Sequence, residues 1–213
     1  MSEIEYIEAY NHLGQLMKIK EKDRLLAEIK RYSKKHGDAN LAVRVVHLFL
    51  MNMVGELYIV KRAKKDENPY LYDKTLGAHM KRGETYDIGL QRECLEELEL
   101  DTTIVEPDNY QWVTKKTNLQ TIAVIKEIAF DPWYRSVRYV KNEEPWVKRH
   151  RVKTYIGMYE GVLRFKDGEA IDVKMITLDN LKKELISNPN IYTTDLNDLV
   201  QRYKPHLMNP NFL

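Results

Sequence analysis

GAHMKRGETYDIGLQRECLEELEL, residues 77–100, is the stretch on which the reading of this chain turns. It opens as a glycine-flanked loop and continues as a helix carrying Arg92, Glu93, Glu96 and Glu97. Spacings of three and four residues place side chains on one helical face. At about 100° per residue, Glu93, Glu96 and Glu97 fall within an arc of roughly 100°. Ile88, Cys94, Leu95 and Leu98 are expected to form the opposite, buried face. With Glu99, four glutamates stand within seven residues. Each like-charged neighbour costs a few tenths of a kcal/mol on an exposed helix. A hard divalent cation, Mg2+ or Mn2+, relieves that repulsion, because such ions prefer carboxylate and water oxygens. Magnesium commonly uses one or two carboxylates together with phosphate oxygens of a substrate, which points to a phosphate-containing ligand. The plain alternative is a solvated acidic face offset by nearby lysines and arginines.

Beyond that stretch, the chain has 213 residues, 43% hydrophobic and 31% charged, which suits one generous domain or a domain with extensions. Thirty-four basic against 32 acidic residues leave a formal charge of +2, too balanced to argue nucleic-acid binding. One cysteine, Cys94, excludes an internal disulfide framework and suggests a reducing compartment. The polar, acidic start MSEIEYIEAYN does not read as a signal peptide, and no apolar run approaches the ~20 residues of a membrane span. A cytoplasmic protein is the expectation.

Working outward on the N-terminal side, Ile4, Ile7, Tyr10, Leu13 and Leu16 recur every three residues, and Leu25, Leu26, Ile29 and Tyr32 continue the stripe. This predicts helix over 3–36, stopped by Gly37. Residues 41–52 and 56–63 read as strands joined by the turn Asn52 to Gly55. Lys61, Arg62, Lys64 and Lys65 end the second of them as a basic cluster. On the C-terminal side, Glu106-Pro107-Asp108 marks a loop, and strands are expected over 121–130, 133–140, 151–163 and 171–177, with a turn at Asp167-Gly168. Helices are expected over 178–186 and 194–203, the second capped by Thr193 or Thr194. The pattern is α/β, a mixed sheet covered by helices.

The spacing within the central stretch resembles the Nudix box, G-x5-E-x7-R-E-U-x-E-E-x-G-U, where U is bulky and apolar. Glu84, Arg92, Glu93, Glu96 and Glu97 match, as do apolar Cys94 and Leu100. At about 6% usage per charged type, five such matches have odds on the order of one in ten thousand in a chain of this length. Two positions depart: the first glycine falls on Ala78, with Gly77 one place earlier, and the late glycine falls on Glu99. The resemblance implies an α/β/α Nudix sandwich over residues 41–185, flanked by a helical extension (1–40) and a helical tail (186–213). It implies hydrolysis of a nucleoside diphosphate derivative or similar organic diphosphate with Mg2+ or Mn2+. Glu93, Glu96 and Glu97 would hold the cation, with the backbone carbonyl of Gly77 or Ala78 and the imidazole of His79 as further candidate ligands; the alternative for His79 is a hydrogen-bonding residue of the loop. Glu93 would also help orient or deprotonate water. Arg92 would brace the carboxylates through Glu84, and a later acid, Glu160, Glu169 or Asp172, would assist.

The context VKRAKKDENPYLYDKTLGAHMKRGE is similar to the branch that contains isopentenyl-diphosphate isomerase and its hydrolase relatives. In those isomerases a cysteine two residues before the histidine transfers protons; here that residue is Gly77. Their acidic ligands on a later strand fall near Arg149 and Arg151. Hydrolysis is therefore preferred over isomerisation and over a non-catalytic nucleotide-binding domain. Cys94, on the apolar side of the helix, reads as a buried structural thiol. Arg62, Lys81, Arg149 and Arg151 are the candidate phosphate-binding cations, with Lys148 and His150 in the same run and Trp146 as a stacking partner. The expected partner is a small-molecule diphosphate, with capped RNA among the compounds sharing the reacting group and no membrane involved. The N-terminal helices offer a surface for a homodimer. Specificity is expected to lie around 106–120 and 131–150.

Overall fold

The computed structural model describes residues 4–64, 67–140, 142–165 and 168–208. Lys65, Asp167 and the two chain ends of the expected extensions lie outside the described residues. Among the described residues the strands form one mixed, ten-stranded sheet. No described helix is long and apolar enough to cross a membrane.

The first 36 residues depart from the expected single helix. Tyr6–Tyr10 (β1) and Leu16–Glu21 (β2) form an antiparallel hairpin, and only Lys22–His36 (α1) is helical. The reason is local. Asn11 Oδ1 accepts the backbone N–H groups of Leu13 (3.1 Å) and Gln15 (3.0 Å), and Gly14 takes φ +79°, which closes a turn. Ile7 and Ala9 are then buried with the two-residue period of a strand. β1 also pairs with the next strand through Ala9↔Val43 and Tyr10↔Ala42, so the hairpin extends the sheet. α1 ends where the sequence predicts, at Gly37 with φ +80° and its N–H on Ser33 O.

Ala42–Met51 (β3) runs at the centre of the sheet, parallel to Trp146–Met158 (β9) over ten residue pairs. Glu56–Arg62 (β4) follows the turn at Gly55, but it shares with β3 only the pair Met51↔Leu57. Beyond that pair the two strands splay. Tyr72–Asp73 (β5) pairs with β4, while Leu76–His79 (β6) pairs with β3 from Val45↔His79 to Leu48↔Leu76. The splay opens a cavity within the sheet.

Tyr86–Leu98 (α2) has Thr85 as its N-cap, the hydroxyl accepting from Ile88 N at 3.2 Å. Its buried face is Gly89, Leu90, Cys94 and Leu98. Ile88 and Leu95, expected on that face, are exposed, because the inward row is the i, i+4, i+8 ridge of 90, 94 and 98. The departure from the family pattern at Glu99 is accommodated by the backbone. Glu99 takes the left-handed conformation (φ +50°) that a glycine would hold there without strain. Ala78 sits buried in β6 among apolar side chains that include Val46 and Leu90.

Asp101–Ile104 (β7) lies parallel to Ile122–Arg138 (β8). Between them a 3-10 turn (Pro107–Asn109) leads into Tyr110–Lys116 (α3), where a loop was expected. The strands expected at 121–130 and 133–140 are one strand, β8, with a register shift between Asp131 and Tyr134. Pro132, which has no N–H to donate, is accommodated at that irregularity. Ala170–Thr177 (β10) pairs with β4 at the sheet edge. Leu178–Ser187 (α4) and Thr194–Leu207 (α5) follow, the second capped by Thr193.

The two faces of the sheet carry separate cores. Val46, Leu48, Leu50 and Tyr155 face α2 through Leu90, Cys94 and Leu98. Val45, Phe49, Val152 and Ile156 face α1, α4 and α5 through Leu25, Ile29, Leu181, Leu196 and Leu199. Fully burying a leucine or isoleucine contributes about 1.5–3 kcal/mol, so both helical layers are held by ordinary apolar packing. The result is an α/β/α sandwich.

Candidate active site

The splay between β3 and β4 holds a cavity of about 380 Å³. On the α2 side it is lined by Glu93, Glu97 and Leu98. Gly77, Ala78 and His79 of β6 border it, and Lys74, Arg62, His47, Lys148 and His150 line it further along.

The α2 side is organised by Arg92. Its Nε and Nη2 donate to the two oxygens of Glu84 at 2.7 and 2.9 Å, and its Nη1 donates to Glu93 Oε1 (2.7 Å) and Glu96 Oε2 (3.0 Å). Such a forked pair fixes geometry as well as adding strength. The loop is tied to the same point, since the Lys81 N–H donates to Glu84 Oε2 at 2.9 Å. Burial alone would lower the pKa of Arg92, but the hydrogen bonds of Glu84 and Glu93 outweigh it and raise it. Burial likewise opposes ionisation of Glu84, and Arg92 and the Lys81 amide reverse that, lowering its pKa. Glu96 points outward, its side chain 52% exposed. Among the described residues, no three His, Cys, Asp or Glu side chains converge as a preformed cation site.

The position two residues before His79 is also defined. A Cβ on Gly77 would meet Lys74 Cε at 2.8 Å and Nζ at 3.2 Å. The lysine occupies the space in which a cysteine side chain would lie. Lys74 Nζ donates to Asp73 Oδ1 at 3.1 Å, and Asp73 also accepts from Thr193 Oγ1 at 2.9 Å. Burial would raise the Asp73 carboxyl, but Lys74 and Arg62 hold it well below the usual carboxylate range. Burial pushes the Cys94 thiol up and leaves it a packing group.

The other predicted cations divide. Arg62 lines the cavity while donating to the carbonyls of Asn68 and Glu67, both at 3.2 Å. Lys81 pairs with Glu5 at 3.4 Å and is not part of the lining. Arg149 forks onto Asp38 at 2.9 and 2.5 Å, and the Arg151 guanidinium lies over Tyr10 and Phe130. Neither lines the cavity. The cause is the alternation of β9, which sends residues 149 and 151 to one face and Lys148 and His150 to the other. Of the three candidate later acids, Glu169 lines the cavity. Glu160 accepts the Met53 N–H beside the β3–β4 turn, and Asp172 accepts from the Tyr72 hydroxyl and the Val173 N–H. Residues 106–120 do not contribute to the lining, whereas the range 131–150 supplies Arg138, Trp146, Lys148 and His150. Sequence reading did not single out His47, Lys74 or Arg138. His47 sits in an otherwise apolar strand, and that polar interruption was the available signal.

Known proteins bear on this arrangement. The model of the NUDIX domain matches residues 41–195. An uncharacterized Nudix hydrolase of Nostoc sp. is 34% identical over 115 residues, 53% of this chain and 68% of that protein. A Nudix hydrolase of Deinococcus radiodurans is 39% identical over 71 residues, 33% of this chain and 39% of that protein. Among solved structures, a Deinococcus radiodurans protein superposes with a TM-score of 0.61, covering 93% of this chain and 98% of its own at 19% identity, a likeness of fold. With the domain match spanning well over half of its length, the chain belongs to the NUDIX family.

Proposed function

We propose that the protein is a Mg2+- or Mn2+-dependent hydrolase of an organic diphosphate, such as a nucleoside diphosphate derivative, working in the cavity beside α2. The observation that carries this reading is the shared wall. Glu93 and Glu97 line the same cavity as Arg62 and Lys74. The donor chemistry fits a hard cation: carboxylate oxygens from Glu93 and Glu97, with phosphate oxygens and water completing the shell. Glu96 supports the set from outside through Arg92.

When bound, the cation would neutralise phosphate charge and lower the pKa of a coordinated water. The chain's own residues do the rest. Arg92 takes one oxygen of Glu93 and so fixes the carboxylate's orientation, leaving Oε2 for a cation or a water. Arg62 and Lys74 receive phosphate oxygens. Glu169 is the assigned assisting acid, since of the three candidates it is the one that lines the cavity. The space beside Gly77 is filled by Lys74 rather than by a thiol, which supports water as the reacting partner over thiol-mediated isomerisation. Residues 41–185 supply most of the cavity wall, and the N-terminal extension adds Lys22 and Leu26 from α1.

The test is a panel of diphosphate compounds incubated with Mg2+ or Mn2+ and read by mass spectrometry. Wild-type protein is expected to release phosphate-bearing products from at least one compound, and Glu97→Gln to lose that release by about 100-fold or more with its melting curve retained. Unchanged turnover in Glu97→Gln would refute the assignment.

A further inference from the structure

The end of the cavity away from α2 carries chemistry that diphosphate cleavage does not use. Lys148 and His150 on β9 and His47 on β3 share the parity of Val45 and Val152, so they stand on the α1/α5 side of the sheet. Trp146, on the same strand, lines the same end. All four are buried, Lys148 being only 4% exposed.

None of these groups has its hydrogen-bonding capacity met. The Lys148 ammonium makes no hydrogen bond or ion pair among the described residues, in contrast to the side chains of Lys74 and Arg62, which both engage Asp73. His150 lacks a partner at both ring nitrogens, His47 lacks one at Nδ1, and the Trp146 indole N–H has none. The imidazole rings lie close, with centroids 6.3 Å apart for His47 and His150, and Tyr134 stacks on His150 at 6.2 Å. A neutral imidazole offers one N–H, an indole one N–H and an ammonium three. Buried polar groups in folded proteins are nearly always paired, and unpaired ones ask for a partner. Here the unpartnered set is rich in donors and includes one cation. Its complement is a compact, acceptor-rich anion.

We infer that this end of the cavity is a subsite for a second oxyanion of the substrate, a phosphomonoester or a carboxylate, on the α1/α5 side of the sheet rather than the α2 side, with Lys148 as the central contact and His150, His47 and Trp146 as donors around it. The inference rests on the reading of the cavity as a substrate site. It narrows the substrate class to diphosphates whose far end bears an additional anionic group.

The experiment is calorimetric titration of metal-free protein, in EDTA, with inorganic phosphate and separately with acetate. Wild-type, Lys148→Met, Trp146→Phe and Glu97→Gln proteins are compared, each checked by its melting curve. Phosphate is expected to bind the wild type and Glu97→Gln alike, at least tenfold more weakly to Lys148→Met, and several-fold more weakly to Trp146→Phe. Tighter binding of phosphate than acetate identifies the phosphomonoester, and the reverse identifies the carboxylate. Absence of binding by either anion, or equal binding by wild type and Lys148→Met, overturns the subsite. Loss of binding in Glu97→Gln instead also overturns it, by moving the anion to the α2 end. The hydrolase reading is judged separately, by turnover in Glu97→Gln.

Discussion

The two ends of one cavity are built on opposite principles. At the α2 end three carboxylates are already paired, since Arg92 holds Glu84, Glu93 and Glu96. At the far end the His150 ring nitrogens and the Trp146 indole N–H are buried without hydrogen-bond partners, beside the buried Lys148. The first arrangement stabilises the fold and fixes the orientation of carboxylates before any ligand arrives. The second is a cost that the folded protein carries, of the kind that persists where a ligand supplies the missing partner. The contrast separates positioning residues from contact residues, and single substitutions should move the two ends in opposite directions.

The largest effect is expected from Arg92→Met. It leaves Glu84 and Glu93 buried without their cation, so stability should fall by about 1.5–3 kcal/mol. Turnover should fall by about 10–100-fold, the usual result of removing a group that orients ligating side chains. Denaturant melts and steady-state kinetics read the two. A loss of turnover without a loss of stability would mean that Arg92 contacts substrate rather than bracing the carboxylates.

Lys148→Met should do the reverse and raise stability, by about 1–2 kcal/mol, as substitutions that relieve an unpartnered functional group commonly do. The pH dependence follows from its sign. Burial, and then Arg138, lower the Lys148 pKa to about 7, while Glu67 and Asp195 oppose this and Lys22 adds to it. In the unfolded chain the value is about 10.4. The folded state therefore disfavours the charged lysine. That penalty is full below about pH 7 and fades as pH rises toward the unfolded value. The stability advantage of Lys148→Met should accordingly be largest at neutral and acid pH and vanish near pH 10.5. An advantage independent of pH would place the effect in packing rather than in charge.

The smallest effect should come from Arg149→Ala, one residue along the same strand. Arg149 is partnered by Asp38 on the opposite face of β9. Its removal should cost at most about 1 kcal/mol and leave anion binding in the cavity unchanged. Weakened phosphate binding in calorimetry would show that the two faces of β9 are coupled.

How much of this was legible in the residues differs by region. The α2 helix and its acidic face follow from local spacing, because helical geometry ties positions three and four residues apart, whereas the Arg92–Glu84 pair joins the helix to the loop before it and was implied by the resemblance alone. The central strands follow from β-branched runs. The N-terminal hairpin was hidden because period-three spacing of Ile4, Ile7 and Tyr10 mimics a helix, while the turn that decides the matter depends on the Asn11 side chain and on Gly14. In the run Lys148 to Arg151 the chemistry was visible but its direction was not. Which alternate residues face the cavity is set by the register of β9 on β3 and β8, a tertiary fact. His47 and Lys74 join the site only through the splay of β3 from β4, which no local pattern announces.

The central claim, that Glu93 and Glu97 form the metal-binding side of this cavity, is tested most directly by titrating Mn2+ into the protein and following the free ion by electron paramagnetic resonance. The wild type should deplete the free-ion signal, and Glu93→Gln and Glu97→Gln should each leave it at least tenfold less depleted, while Lys148→Met behaves as wild type. Equal depletion by wild type and both glutamate variants would contradict the account.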